Sequence, residues 1–192
     1  MFDPPHRDVF VHETDDDAGG VMGLATLVLN ALRQRPARRP PIVEAPPGSP
    51  STRSHGIDYP GYRRVVERMA EQRDERRLNE AEFVAAMDLP GALVLDARSR
   101  EAYARRHVLG AVNLPLTDFH AASLAATIPS KRTPVLIYCN NNFSGDDQAF
   151  PAQVARAALS LATWTSLRSY GYANLFELSG RYDIHRTKIP LS

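Results

Sequence analysis

The chain has a single cysteine, Cys139, among 192 residues. That scarcity excludes an intramolecular disulfide and any zinc site built from several thiolates. Lysine is almost as scarce, with only Lys131 and Lys188, so arginine carries the basic side. With a net charge of +1 at pH 7, nothing global points to nucleic acid. Long apolar runs are also missing: the candidate segment, Val21 to Leu32, falls short of the ~20 residues that a bilayer span needs. It follows acidic residues rather than a basic n-region, and starting at Met22 would still place no basic residue ahead of it. A cytoplasmic protein without a membrane span is expected. His6, His12, His55, His107, His120 and His185 are scattered without ligand-like spacing, so neither a metal nor a cofactor is expected.

What is present is concentrated after residue 56. Nine of the fifteen prolines fall in the first sixty residues, and Pro36 to Ser54 reads PARRPPIVEAPPGSPSTRS. Such a composition favours solvated, extended chain over a packed core. Residues 3–17 are acidic and residues 33–39 hold Arg33, Arg35, Arg38 and Arg39 without an acid, blocks that solvate a tail. The expected organisation is a disordered Pro/Arg-rich tail over 1–56, an amphipathic helix over 57–78, a domain over 79–185 and a C-terminal tail over 186–192.

Within the domain region the hydrophobic period alternates between helix and strand. Tyr62, Val65, Val66 and Met69 recur at i, i+3, i+4 and i+7, the stripe of an amphipathic helix running to Arg77. Asn79 followed by Glu82 has capping-box spacing and opens a short helix. Ala92 to Leu95 is a strand buried on both faces, Ser99 caps a helix through Arg106, and Val108 to Leu114 holds another strand. Ser123 to Thr127 is helical and Val135 to Tyr138 a strand. Ala152 to Leu161 reads as helix, Thr163 to Leu167 as β-prone, and Asn174 to Leu178 as the last strand. Short buried strands alternating with helices predict an α/β domain, a central parallel sheet of about five strands with helices on both faces. In such sheets ligands sit beyond the carboxyl ends of the strands, which is where Cys139 lies.

A strand that delivers one thiol into a polar loop is a way to present a nucleophile, and a helix N-terminus nearby would stabilise a thiolate. A free cysteine is also often a small buried apolar residue, and position alone leaves both roles open.

Motifs spread over the region then share a pattern. Leu95-Asp96-Ala97-Arg98, Glu101-Ala102-Tyr103, and His107 to Pro115 with its Gly110-Ala111-Val112-Asn113-Leu114-Pro115 turn resemble the rhodanese-like signature. Thr133 to Cys139 is similar to that family's strand into its active-site cysteine, and Tyr170 to Gly180 to its closing segment. The resemblance covers roughly Leu78 to Arg181. It implies a single rhodanese-like domain acting as a sulfurtransferase, with Cys139 the catalytic thiol and Asn140, Asn141, Asn142, Phe143, Ser144 and Gly145 the substrate-binding loop. Sulfane sulfur would move through a Cys139 persulfide from a thiosulfate-like donor to a thiophilic acceptor or a sulfur-carrier protein. Asp96 and Arg98, with Glu101 as a partner, are expected to form a supporting ion-pair network. His107 is expected to shape a turn, and Gly110 and Gly171 to take backbone conformations that a side chain opposes.

The loop departs from the family pattern. From Asn140 to Asp147 it contains no arginine or lysine, so the three asparagines are expected to act as neutral donors, and Asp146 or Asp147 would oppose a thiolate unless engaged elsewhere. A Cys-x5-Arg phosphatase or arsenate reductase is excluded, because position 145 is glycine. The alternative to sulfur transfer is a catalytically inactive rhodanese-like binding or regulatory module.

Overall fold

A computed structural model describes residues 56–192. The expected tail over 1–56 and the segment Val21 to Leu32 therefore lie outside the described residues, save Gly56. Among those described, no helix is long and apolar enough to cross a membrane. Five helices, α1 (Tyr59–Arg73), α2 (Glu80–Met87), α3 (Arg100–Arg105), α4 (Ala121–Thr127) and α5 (Leu159–Ser169), surround seven short strands: β1 (Arg77–Leu78), β2 (Leu93–Asp96), β3 (Val112–Asn113), β4 (Val135–Tyr138), β5 (Phe143–Ser144), β6 (Leu175–Leu178) and β7 (Tyr182–Asp183).

Local signals set the helix starts. Asn79 accepts from the Glu82 amide at 3.0 Å while the Glu82 carboxylate accepts from the Asn79 amide at 2.9 Å, the reciprocal capping box expected from the spacing. Ser99 accepts from the Ala102 amide at 3.2 Å and caps α3. Pro60 stands in the first turn of α1, where its missing N–H costs nothing.

β1, β6, β4, β2 and β3 form, in that order, one parallel sheet. Parallel strands with helices on both faces need apolar side chains on both faces, and β4 and β6 are buried at every position. The period of two divides the core. Val94, Leu136, Tyr138, Phe176 and Leu178 pack with Phe83 and Ala86 of α2. Leu95, Val135, Ile137 and Leu175 pack with Leu124 of α4 and with Trp164 and Leu167 of α5. Gly110 and Gly171 sit at φ +80° and +85°, in agreement with the turns expected there.

Four sequence-based expectations change. The helix expected to reach Arg77 ends at Arg73, and after a 3-10 turn the chain becomes β1, paired with β6. Thr163 to Leu167, β-prone by composition, lies inside α5. Thr163 and Thr165 hydroxyls donate to the carbonyls of Leu159 and Leu161, four residues back, at 2.9 and 2.8 Å. Buried hydroxyls satisfied in this way are compatible with a helix whose Trp164 and Leu167 face the core. β6 is not the last strand, because β7 follows and pairs with β5. Finally, 186–192 packs onto the domain: Ile189 is buried, Leu109 donates to the Pro190 carbonyl at 2.9 Å, and Ser192 to that of His107 at 3.0 Å.

The ends of β2 and β4 meet in a buried polar knot. Arg98 donates through Nη2 to Asp96 at 2.6 Å, and through its other guanidinium nitrogens to Asp96 and the carbonyl of Ala149. Its Nη2 also reaches the Arg106 carbonyl at 2.7 Å. The Tyr138 hydroxyl donates to Asp96 and accepts from the Val108 amide. Glu101 does not join, contrary to expectation. Its carboxylate pairs with Arg105 one turn on, at 2.8 Å, because the helix directs it to solvent. His107, as expected, shapes its turn: its Nδ1 lies 2.9 Å from the Tyr103 carbonyl and its ring stacks on Tyr103.

Burial, then the neighbouring Asp96 carboxylate, push the Tyr138 hydroxyl well above its ordinary value, against the pull of Arg98. A folded-state value above the unfolded one of about 10 gives stability that is complete below that pH and is lost above it. Denaturant titrations from about pH 9 to about pH 11 should show a decline of up to about 1.4 kcal/mol per pH unit from this proton. Tyr138→Phe should lack that component, and an identical slope in the variant would exclude Tyr138 as its source.

Candidate active site

Cys139 directly follows β4, on the face that Ile137 shares with α4 and α5. A pocket of about 450 Å³ opens there, walled by Cys139, Asn141 and Asn142, by Ala158, Ser160 and Leu161 at the start of α5, and by side chains from the other edge of the sheet. The thiol is 2% exposed, so it forms part of the pocket's inner wall. The N-terminal turn of an eleven-residue helix stands in the same wall, bringing the positive end of its dipole to the thiol's surroundings.

The loop after the cysteine folds back on itself. It makes a 3-10 turn over Asn140–Asn142, in which Asn142 donates to the Cys139 carbonyl at 3.1 Å and Phe143 to that of Asn140. Both amides close the turn, and that of Asn142 also reaches the Cys139 side chain. The Asn142 side chain fixes the loop instead. Its Oδ1 accepts from the Cys139 amide at 2.8 Å, and its Nδ2 donates to the carbonyls of Leu178 and Gly180, both at 2.9 Å. One amide thus ties the cysteine to the end of β6. Asn141 exchanges two bonds with the Gln153 backbone, 2.9 and 2.7 Å, and Gln153 Oε1 accepts from Leu159 at 3.0 Å. This clamp, together with Pro151, keeps residues 151–154 out of the expected helix, which begins only at Leu159.

Of the six loop residues expected to bind substrate, Asn141 and Asn142 line the pocket; Asn140, Phe143, Ser144 and Gly145 do not. Asn140 is buried, with its Oδ1 unpartnered. Phe143 is drawn into the opposite core layer against Phe150 and Tyr138, because an apolar ring leaves water wherever the chain lets it. Ser144 pairs within β5, and Gly145 packs near Ile184 and Asp183. The acids that would have opposed a thiolate stand elsewhere. Asp146 accepts from the Ala149 amide at 3.0 Å and pairs with Arg106 at 3.1 Å, Asp147 is exposed, and neither lines the pocket.

The cations missing from the loop arrive from distant segments. Arg73, Arg77 and Arg181 all line the pocket, with Glu177 as the one acid. Glu177 on β6 is 4% exposed and grips Arg73 at the end of α1 through two contacts of 2.5 Å. Paired bidentately, its charge is offset where it stands. Sequence reasoning missed these residues. Arg73 and Arg77 belong to a helical stretch whose mixed charge reads as a solvated face, and Arg181 follows the closing motif.

A family model described as Rhodanese-like domain matches residues 79–183. Similar solved structures include the rhodanese-like domain of the Anabaena Alr3790 protein in solution, at 20% identity, covering 61% of this chain and 78% of that one, TM-score 0.42. The human single-domain sulfurtransferase TSTD1 follows at 21% identity, 56% and 91% coverage and TM-score 0.38. The single-domain sulfurtransferase RDL2 of Saccharomyces cerevisiae stands at 14%, 55% and 84%, and 0.37. No curated protein matches the chain.

Proposed function

Because the chain belongs to the rhodanese-like domain family, we propose that it moves sulfane sulfur through Cys139. The observation that supports this most directly is the placement of the chain's sole thiol in the wall of a pocket at the carboxyl end of the parallel sheet. In the first half-reaction the Cys139 thiolate attacks the outer sulfur of a thiosulfate-like donor. The donor's S–S bond breaks and sulfite leaves with the electron pair, so the enzyme holds a persulfide. In the second, a thiophilic acceptor, either a small thiol or a sulfur-carrier protein, attacks the outer persulfide sulfur and the Cys139 thiolate leaves. One thiol suffices for such a double displacement, and neither metal nor cofactor has a part in it.

Asn142 acts as a positioning residue, holding the Cys139 backbone against β6. Ser160 and the first turn of α5 supply the positive potential that favours a thiolate. Incubation of the protein with thiosulfate is expected to add one sulfur atom to its intact mass, and an acceptor thiol to remove it. The rival reading, a binding module without chemistry, draws on the thiol's near-complete burial. An unchanged mass, with slow alkylation of Cys139, would favour the module.

A further inference from the structure

We propose that Arg77 and Arg181 form the anion seat of the pocket, so that the segment preceding the family-matched region builds part of the substrate site. This rests on the sulfur-transfer reading for the identity of the anion, a thiosulfate-like donor, but not for the existence of the seat. Three guanidiniums and one carboxylate line the pocket. Arg73 and Glu177 neutralise one another in a bidentate pair. Arg77 and Arg181 have no ion pair among the described residues, and both are exposed at the pocket's edge. What remains is an excess of two positive charges facing the thiol's pocket, and arginine keeps its charge at any physiological pH.

Both arginines are held by backbone rather than by side-chain partners, which leaves their guanidiniums available to a ligand. Arg77 lies in β1, registered against Glu177 of β6. Arg181 follows Gly180, whose carbonyl accepts from Asn142 of the cysteine loop. The same asparagine therefore fixes the thiol and the base of the Arg181 segment. Fork-shaped guanidiniums suit the oxygens of a sulfonate-like group, and the loop itself offers no cation. The job that the arginine-free loop leaves undone falls to a residue just before the domain and one just after its closing motif.

The test uses the full chain carrying Cys139→Ser, so that no chemistry intervenes, with thiosulfate as the probe. Thiosulfate should raise the melting temperature more than sodium chloride of equal ionic strength, and adding Arg77→Gln and Arg181→Gln should abolish the difference. With Cys139 intact, the same two substitutions should slow sulfur loading at low thiosulfate by roughly tenfold while the rate at saturation holds. An equal thermal shift with and without the two arginines, or none in either protein, would overturn the seat. A thermal shift that depends on the arginines in a protein that never gains sulfur would leave the seat standing and remove sulfur transfer.

Discussion

Arg98→Ala is expected to destabilise the fold by about 3–5 kcal/mol, the cost of leaving a buried charge without its partner. Arg98 and Asp96 are 2% and 0% exposed, so water cannot replace either partner. Burial alone works to lower the Arg98 guanidinium, yet its bond to Asp96 and the groups around it hold it above its ordinary value. The loss would spread further than one ion pair. Arg98 joins the end of β2 to the Arg106 carbonyl and to Ala149, on the segment that follows the cysteine loop, and its guanidinium lies 4.5 Å from the Phe150 ring centroid. Asp96 also accepts from Tyr138, the residue immediately before the thiol. Urea unfolding of the variant measures the effect. The double replacement Asp96→Asn with Arg98→Met should recover part of the loss, since removing both charges abolishes the orphan. A cost below about 1 kcal/mol for Arg98→Ala would show that the knot is no anchor.

Cys139→Ser is expected to lower sulfur transfer by at least about a thousandfold while leaving thermal stability nearly unchanged. A hydroxyl of similar size fits the same wall and can accept from the Asn142 amide as the thiol does, while Asn142 Oδ1 still binds the backbone amide of residue 139, so the loop should hold its form. The alkoxide needed to replace a thiolate is inaccessible near neutral pH, whereas cysteine is a few per cent ionised even at its ordinary value. Steady-state sulfite release from thiosulfate with an acceptor thiol provides the measurement. Activity retained within about tenfold in the variant would move the chemistry to another group.

Legibility in the sequence followed sequence distance. The strand into Cys139, the Asn79 capping box and the Ser99 cap are set by residues a few positions apart, and each forms as its spacing dictates. The alternation of buried strands with helices was enough for a parallel sheet with helices on both faces. Local propensity failed at Thr163 to Leu167, where helix carbonyls satisfy hydroxyls that composition assigns to a strand. It also failed after Cys139. Asn141 closes on Gln153, and Asn142 reaches Leu178 and Gly180, partners that no spacing rule names. Glu101 stands near Asp96 in sequence, yet its side chain leaves on the outer face of α3 to pair with Arg105.

By itself, then, the sequence determined the family, the fold and the place of its sole thiol at the end of a strand, because motifs and hydrophobic periods are local and survive without knowledge of contacts. Only the tertiary structure decided the electrostatics of the pocket. An opening flanked by a loop that lacks cations gains them from Arg77 and Arg181, 104 positions apart by their numbers, while Glu177 is offset by Arg73 across the same wall. Coulomb energy depends on distance in space, and parallel strand order β1-β6-β4 brings the start and end of the domain beside its centre.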